Sequence, residues 1–167
     1  MRAAYARVAE IGFEGLRLRQ VAEQVGIDHS TLHHHFATKQ ALVAAVAEYT
    51  TRQFWTTAPS ASEPAAGLRA HLAALHQLIL TRPELFVVSA ELDLRARRDP
   101  EVAAALAGHE RGWRELLAGL LGRSDDPEAA AELVIATVKG VRLAPELAGP
   151  VLDRLAALVT DTEEERP

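Results

Sequence analysis

Residues Leu16–Leu42 read LRLRQVAEQVGIDHSTLHHHFATKQAL, and this stretch decides the fold. It predicts a helix, a tight turn, a second helix, a short connector and the start of a third helix. Val21, Ala22, Val25, Ile27, Leu32 and Phe36 supply its apolar side. Val21 and Val25 are four apart, as are Leu32 and Phe36, so each pair shares one helix face. Gly26 falls just after the first helix, where a left-handed residue is wanted, and Ile27 is expected to plug the turn from below. Asp28 is a good N-cap for the helix that follows. That helix, His29–His35, has room for about two turns, and His29, Ser30, His33 and His34 form its outer face. A short, polar-faced helix held by a buried partner is the geometry of a DNA-reading helix-turn-helix.

Working outward, the composition bounds the rest. The chain has 167 residues, long enough for a sizeable core. It is 49% hydrophobic but only 5% aromatic, with Ala and Leu dominant, which favours an all-helical protein over a sheet protein. With no cysteine, neither a disulfide framework nor a thiolate metal site can form. No apolar run approaches the roughly 18 residues of a membrane span, and no signal-peptide pattern opens the chain. A cytoplasmic location is expected. The net charge is −5, whereas a basic domain is the usual footprint of a DNA binder. The charge is unevenly placed: residues 1–50 balance to zero, and residues 51–167 carry the whole excess. Four of the seven histidines sit in the first part. An acidic remainder keeps such a protein off random DNA.

Before the central stretch, residues 3–11 form a helix with Ala4, Val8 and Ile11 on one side. It ends at Gly12, and Phe13 packs onto the unit that follows. In a chain that begins here, no flexible arm precedes this helix. After the central stretch, Thr38 caps a helix from Lys39 to about Trp55. Residues 56–64, TTAPSASEP, are the clearest loop and a candidate domain boundary. Beyond it, Pro83-Glu84, Pro100-Glu101 and Pro127-Glu128 each open an apolar helical run. Proline suits the first helical position, and Glu beside it suits the positive end of the helix dipole. Asp99 and Asp126 add N-caps. The expected helices are about 64–81, 83–97, 100–122, 127–143 and 150–160.

Two apolar stripes run along the penultimate helix: Ala130, Val134, Val138 and Val141, and beside them Ala129, Leu133, Ala136 and Gly140. The last helix carries Val151, Leu152, Leu155, Leu158 and Val159 on a wide face. Such faces finish a monomer core or pair with their symmetry copies in a four-helix interface.

The first 46 or so residues resemble the TetR family of bacterial transcription regulators. The resemblance rests on AAYARVAEIGFEG, LRLRQVAEQVGI and DHSTLHHHFATKQAL, with Gly12-Phe13, Ala22, Gly26-Ile27, Thr31-Leu32, His35-Phe36 and Lys39 at fixed spacing. The remainder is similar to that family in architecture, and RPELFVVSAELDLRARRDPEV resembles the sixth-to-seventh helix stretch of its ligand-binding domains. The resemblance implies an all-α protein of about nine helices. A three-helix helix-turn-helix DNA-binding domain occupies 1–46, and a helical effector-binding and dimerisation domain occupies 47–167. It implies a homodimeric, ligand-responsive repressor on a palindromic double-stranded DNA operator, not an enzyme, with an unknown small-molecule effector, no membrane partner and no cofactor. The family usually has Tyr at the position of His33 and a small hydroxyl residue near Arg17.

Within that reading the DNA-binding candidates are Arg17, Asp28, His29, Ser30, Thr31, His33, His34 and Lys39. Lys39, in the first turn of a helix, can join the positive helix end at one phosphate; an ordinary exposed Lys is the alternative. His35 is expected to pack beneath the reading helix. No metal site is expected. Successive helical residues point about 100° apart, so His33, His34 and His35 cannot converge, and His29 with His33 lacks a third ligand. Effector-binding candidates are Trp55, His71, His76, Phe86, Glu91, His109 and Trp113, with Asp93 as a further polar group; each such group alone is more often surface or a satisfied core contact. Arg95, Arg97, Arg98 and Asp99 read as a solvated helix end. Dimerisation candidates are Val134, Val138, Val141, Val151, Leu152, Leu155 and Leu158. The alternative is a ligand-sensing or protein-interaction dimer with weak or lost DNA binding; a non-specific DNA-coating protein is disfavoured by the acidity.

Overall fold

The computed structural model describes residues 1–54, 57, 63–122 and 124–161. Among the described residues there are nine α-helices and no strand: α1 (Arg2–Gly15), α2 (Leu18–Val25), α3 (His29–His35), α4 (Lys39–Phe54), α5 (Pro64–Thr81), α6 (Pro83–Ala96), α7 (Pro100–Leu120), α8 (Pro127–Val141) and α9 (Ala148–Asp161). A 3-10 turn, Pro145–Leu147, leads into α9. Trp55 and most of the loop expected over 56–64 lie outside the described residues.

The helix starts follow from the residues that open them. Proline occupies the first position of α5, α6, α7 and α8, where its missing N–H costs nothing. Asp99 Oδ1 accepts from the Glu101 and Val102 amides at 3.2 and 3.4 Å. Asp126 Oδ1 accepts from Ala129 N at 2.9 Å, and Thr38 Oγ1 from Ala41 N at 3.0 Å. Glu63 caps α5 by accepting from Ala65 N and Ala66 N at 2.9 and 2.6 Å; a longer acid in this place was not expected from cap preferences.

The chain divides into two compact units. The first holds Met1–Phe54 with Glu84–Gly108, so α6 and the start of α7 belong with α1–α4. Its core includes Tyr5, Val8, Phe13, Leu16, Leu42, Val46, Leu85 and Leu92. Tyr5 of α1 meets Tyr49 of α4 edge to face at 5.4 Å, and Phe54 meets Phe86 of α6 at 5.5 Å. The second unit holds Trp55–Pro83 with His109–Pro167. In it α9 packs on both α5 and α8. Leu68, Leu72, Leu75 and Ile79 give α5 one buried face. Gly149 lets α9 approach: a Cβ there would lie 2.9 Å from Cε1 of His76.

Two turns in the first unit are set by glycine. Gly12 has φ 65° and ψ 177° inside α1, a region reserved for glycine. The expected end of the first helix is thus a kink, beyond which α1 resumes to Gly15. Gly26 is left-handed, φ 71° and ψ 31°. Its N–H donates to Glu23 O at 3.2 Å and that of Ile27 to Ala22 O at 3.1 Å, a Schellman closure. Val25 and Ile27 do not enter the core, being 48% and 38% exposed. Ile27 therefore does not plug the turn from below; its part in the closure is the backbone bond to Ala22.

Candidate nucleic-acid interface

Helix α3 is seven residues long and is anchored by one of them: Leu32 is buried, and His29, Ser30, Thr31, His33, His34 and His35 are all exposed. It packs on α2, whose Val21 and Ala22 are buried. The His29 and His33 rings stack at 5.9 Å, 15° from parallel, as their i, i+4 spacing dictates. His34 and His35 meet at 6.0 Å. His35 therefore does not pack beneath the helix: with Leu32 as the inward residue, position 35 is carried past the buried side. Among the described residues no group of three metal-ligating side chains occurs. Asp28 occupies the N-cap position, φ −64° and ψ 144°, but its exposed carboxylate makes no capping bond.

Lys39 opens α4 and is half-buried. Its ammonium is held below the usual lysine range, first by desolvation and then by the Arg17 charge; Arg95 acts the same way, and Glu14 opposes both. A lysine repelled by neighbouring cations gains from an incoming anion. Arg17 is exposed, and its guanidinium donates to the carbonyls of Glu14 and Leu16, so it braces the turn from which it projects. On α2, Arg19 pairs with Glu23 at 3.0 Å.

The effector-binding candidates divide between the units. Phe86 is buried against Phe54, and Glu91 lies beside the Gly12 kink, with its Oε2 3.2 Å from where a Cβ would stand. In the other unit, His71 is buried and both ring nitrogens are engaged. Trp113 Nε1–H donates to His71 Nε2 at 2.9 Å, so Nδ1 carries the proton and donates to Thr57 O at 2.8 Å. Burial pushes the imidazole below its ordinary range, and the Thr57 carbonyl opposes this. His71 and Trp113 are brought together, as a satisfied core contact. His76 packs against Gly149, and His109 is half-buried.

Of the dimerisation candidates, Val134, Val138, Val141, Leu152 and Leu155 are buried within the chain itself, Val151 is half-buried, and Leu158 is exposed. The neighbouring stripe Ala129, Leu133, Ala136 and Gly140 faces outward. Leu143 and Leu147 are also exposed, Leu143 by 75%. The solvated helix end is corrected in part. Arg97 and Arg98 are exposed, but the side chains of Arg95 and Asp99 are only 22% and 15% exposed and are paired at 3.2 Å. Arg95 also lies 5.6 Å over the Phe13 ring. The Arg95–Asp99 spacing was readable, but nothing local to the sequence indicates Phe13 as a neighbour.

Comparison with known proteins agrees with this arrangement. Residues 1–46 match the family model described as bacterial regulatory proteins, tetR family. Residues 63–164 match the model described as tetracyclin repressor-like, C-terminal domain. The tetracycline repressor protein class A from transposon 1721 of Escherichia coli is 42% identical over 48 residues, which are 29% of this chain and 22% of that protein. A crystal structure of a transcriptional regulator from Rhodococcus sp. Rha1 superposes with a TM-score of 0.88 at 26% identity, covering 99% of this chain and 96% of that one. A structure of AibR in complex with isovaleryl coenzyme A and operator DNA superposes with a TM-score of 0.75 at 17% identity, covering 93% of each chain, a likeness of fold. Among the described residues no helix is long and apolar enough to cross a membrane. With a helix-turn-helix at its start and a family-type helical domain over most of its remainder, the chain belongs to the TetR family of bacterial transcriptional regulators.

Proposed function

We propose that this regulator is a cytoplasmic, ligand-responsive repressor that binds a roughly palindromic operator as a homodimer. Residues 1–46 read DNA, and residues 47–167 bind the effector and dimerise. The observation that carries the reading is α3, held by Leu32 alone with every other side chain facing out. His29, Ser30, Thr31, His33 and His34 offer hydrogen bonds to base edges and phosphates, and the Thr31 methyl suits a thymine methyl. Asp28 lies at the same edge. Lys39 and Arg17 take phosphates, which fix register without carrying sequence information. Two readers related by a twofold axis enter successive major grooves.

The exposed row on α8 and at the α8–α9 corner, with Leu158, supports pairing with a second copy. The AibR complex holds both operator DNA and an acyl coenzyme A, which supports a regulator that couples a small molecule to DNA. Trp55, His76, Phe86, Glu91, His109 and Trp113 remain effector candidates. His71 is a weaker one, because both of its nitrogens are engaged. An effector releases DNA only by binding the non-reading state better; a coupling of about 1–3 kcal/mol changes affinity roughly 5–150-fold.

The test is fluorescence anisotropy of the full chain against duplexes tiled from the region upstream of its own gene, at about physiological salt. One fragment bound well above its scrambled version is the expected result. Equal binding to every fragment by a folded dimer would instead favour a ligand-sensing dimer without operator recognition, a reading that draws on the engagement of Arg17 with its own turn.

A further inference from the structure

At the corner where α6 meets α7, Arg95 reaches the end of α1. Arg95 Nε donates to Asp99 Oδ2 at 3.2 Å. The other Asp99 oxygen caps α7, so the carboxylate joins the first turn of α7 to the Arg95 fork. The guanidinium lies 5.6 Å over the ring of Phe13, a residue buried in the core of the same unit. A second nitrogen stands 3.9 Å from Glu14. Glu14 is 98% exposed, so that pair is screened and weak; the Phe13 and Asp99 contacts dominate. One turn earlier on α6, Glu91 lies against the Gly12 kink. An open groove of about 770 Å³, bordered by Phe13, Gln40, Glu91, Arg95 and Arg98, runs along this junction. Leu85, Val88 and Leu92 of α6 are buried in the same core as Phe13, and the polar span adds a constraint at the end of α1, where the groove leaves that packing open.

We propose that Arg95 is a positioning residue for DNA reading: held by Asp99, it fixes the Phe13–Glu14 end of α1 and thereby the angle at which α2 and α3 are presented. Leu16 N–H bonds to Phe13 O at 3.2 Å, and Arg17 bonds to Glu14 O, so a shift at Phe13 moves the start of α2. The proposal rests on the DNA-reading function above, and it extends that function to two residues that touch no DNA in the reading.

The alternative role for Arg95 is as one more positive charge near Lys39 and Arg17. Asp99→Asn separates the two roles. Asn caps a helix as well as Asp, so α7 keeps its start, while the hold on Arg95 loosens. The substitution also makes the protein one charge more positive. A charge-only role predicts tighter binding to all DNA; positioning predicts weaker binding to the preferred fragment with binding to scrambled DNA unchanged or slightly stronger.

The experiment measures anisotropy of wild type, Asp99→Asn and Arg95→Met on the preferred fragment and its scrambled version, with amide hydrogen exchange over residues 12–17 in the absence of DNA. The expected result is a loss of at least fivefold in the preferred-to-scrambled ratio for both variants. Exchange at Leu16 and Arg17 should be faster and the melting temperature nearly unchanged. Asp99→Asn raising affinity for both fragments alike, or exchange over 12–17 equal to wild type, would overturn the proposal. A wild type without any preferred fragment would overturn the DNA-reading function itself, whereas a wild type with preference and variants without a change would overturn only the role of Arg95.

Discussion

At the scale of single residues, the least readable groups were those whose neighbours come from distant segments. His71 looked like a polar group available to a ligand, and it is a core histidine whose tautomer is set by Trp113 and Thr57. Protonating Nε2 would set N–H against the indole N–H. Its folded-state pKa lies below the ordinary value, so the unfolded chain binds the extra proton. Stability from this group is fully present above about pH 6.5 and is lost as pH falls below that value, at no more than about 1.4 kcal/mol per pH unit. His71→Leu removes both hydrogen bonds and should cost about 2 kcal/mol at pH 7.5. In urea titrations the gap between wild type and variant should narrow at pH 5.5; a constant gap would show that the ring is not held neutral. Lys39 is proposed as a phosphate contact from its place in the motif. Lys39→Ala should weaken binding to preferred and scrambled duplexes alike, and reduce the slope of log affinity against log salt by about 0.9. An unchanged slope would remove Lys39 from the phosphate contacts.

At the scale of elements, legibility followed local chemistry. The Gly26 closure, the prolines opening α6, α7 and α8, and the Thr38, Asp99 and Asp126 caps depend on adjacent residues, and all are present. Val25 and His35 were misjudged because a two-turn helix offers too few positions for periodicity to fix its inward direction. In α8 two adjacent apolar stripes were visible, and which of them the core takes is decided by α9. The two positive-φ glycines differ in a way that only the structure reveals. At Gly26 an added Cβ meets nothing within 4 Å, so Gly26→Ala should cost about 1 kcal/mol from backbone conformation alone. At Gly12 the Cβ meets Glu91 and the backbone lies outside the left-handed helical region. Gly12→Ala should cost about 2–3 kcal/mol. Thermal unfolding of the two variants should rank them in that order.

At the scale of the whole molecule, the helix-turn-helix and the helical character of the rest were legible from 46 residues and the overall composition. The effector was not, because ligand specificity resides in side chains that any helical domain can vary without changing its fold. The outward row on α8 and at the α8–α9 corner carries the assembly prediction. Leu133→Arg with Leu158→Glu should convert a dimer to a monomer in sedimentation at micromolar concentration, with helical circular dichroism unchanged. A doubly substituted protein that stays dimeric would place the interface elsewhere.

Val134, Val138, Val141, Leu152 and Leu155 are buried without a second copy. A subunit that keeps its own core need not wait for a partner to fold. Its melting temperature should then vary little over a hundredfold dilution, unlike that of an obligate dimer. Tagged and untagged subunits should exchange on mixing faster than either unfolds. In the proposed homodimer, one half could then be replaced while the other retains its shape.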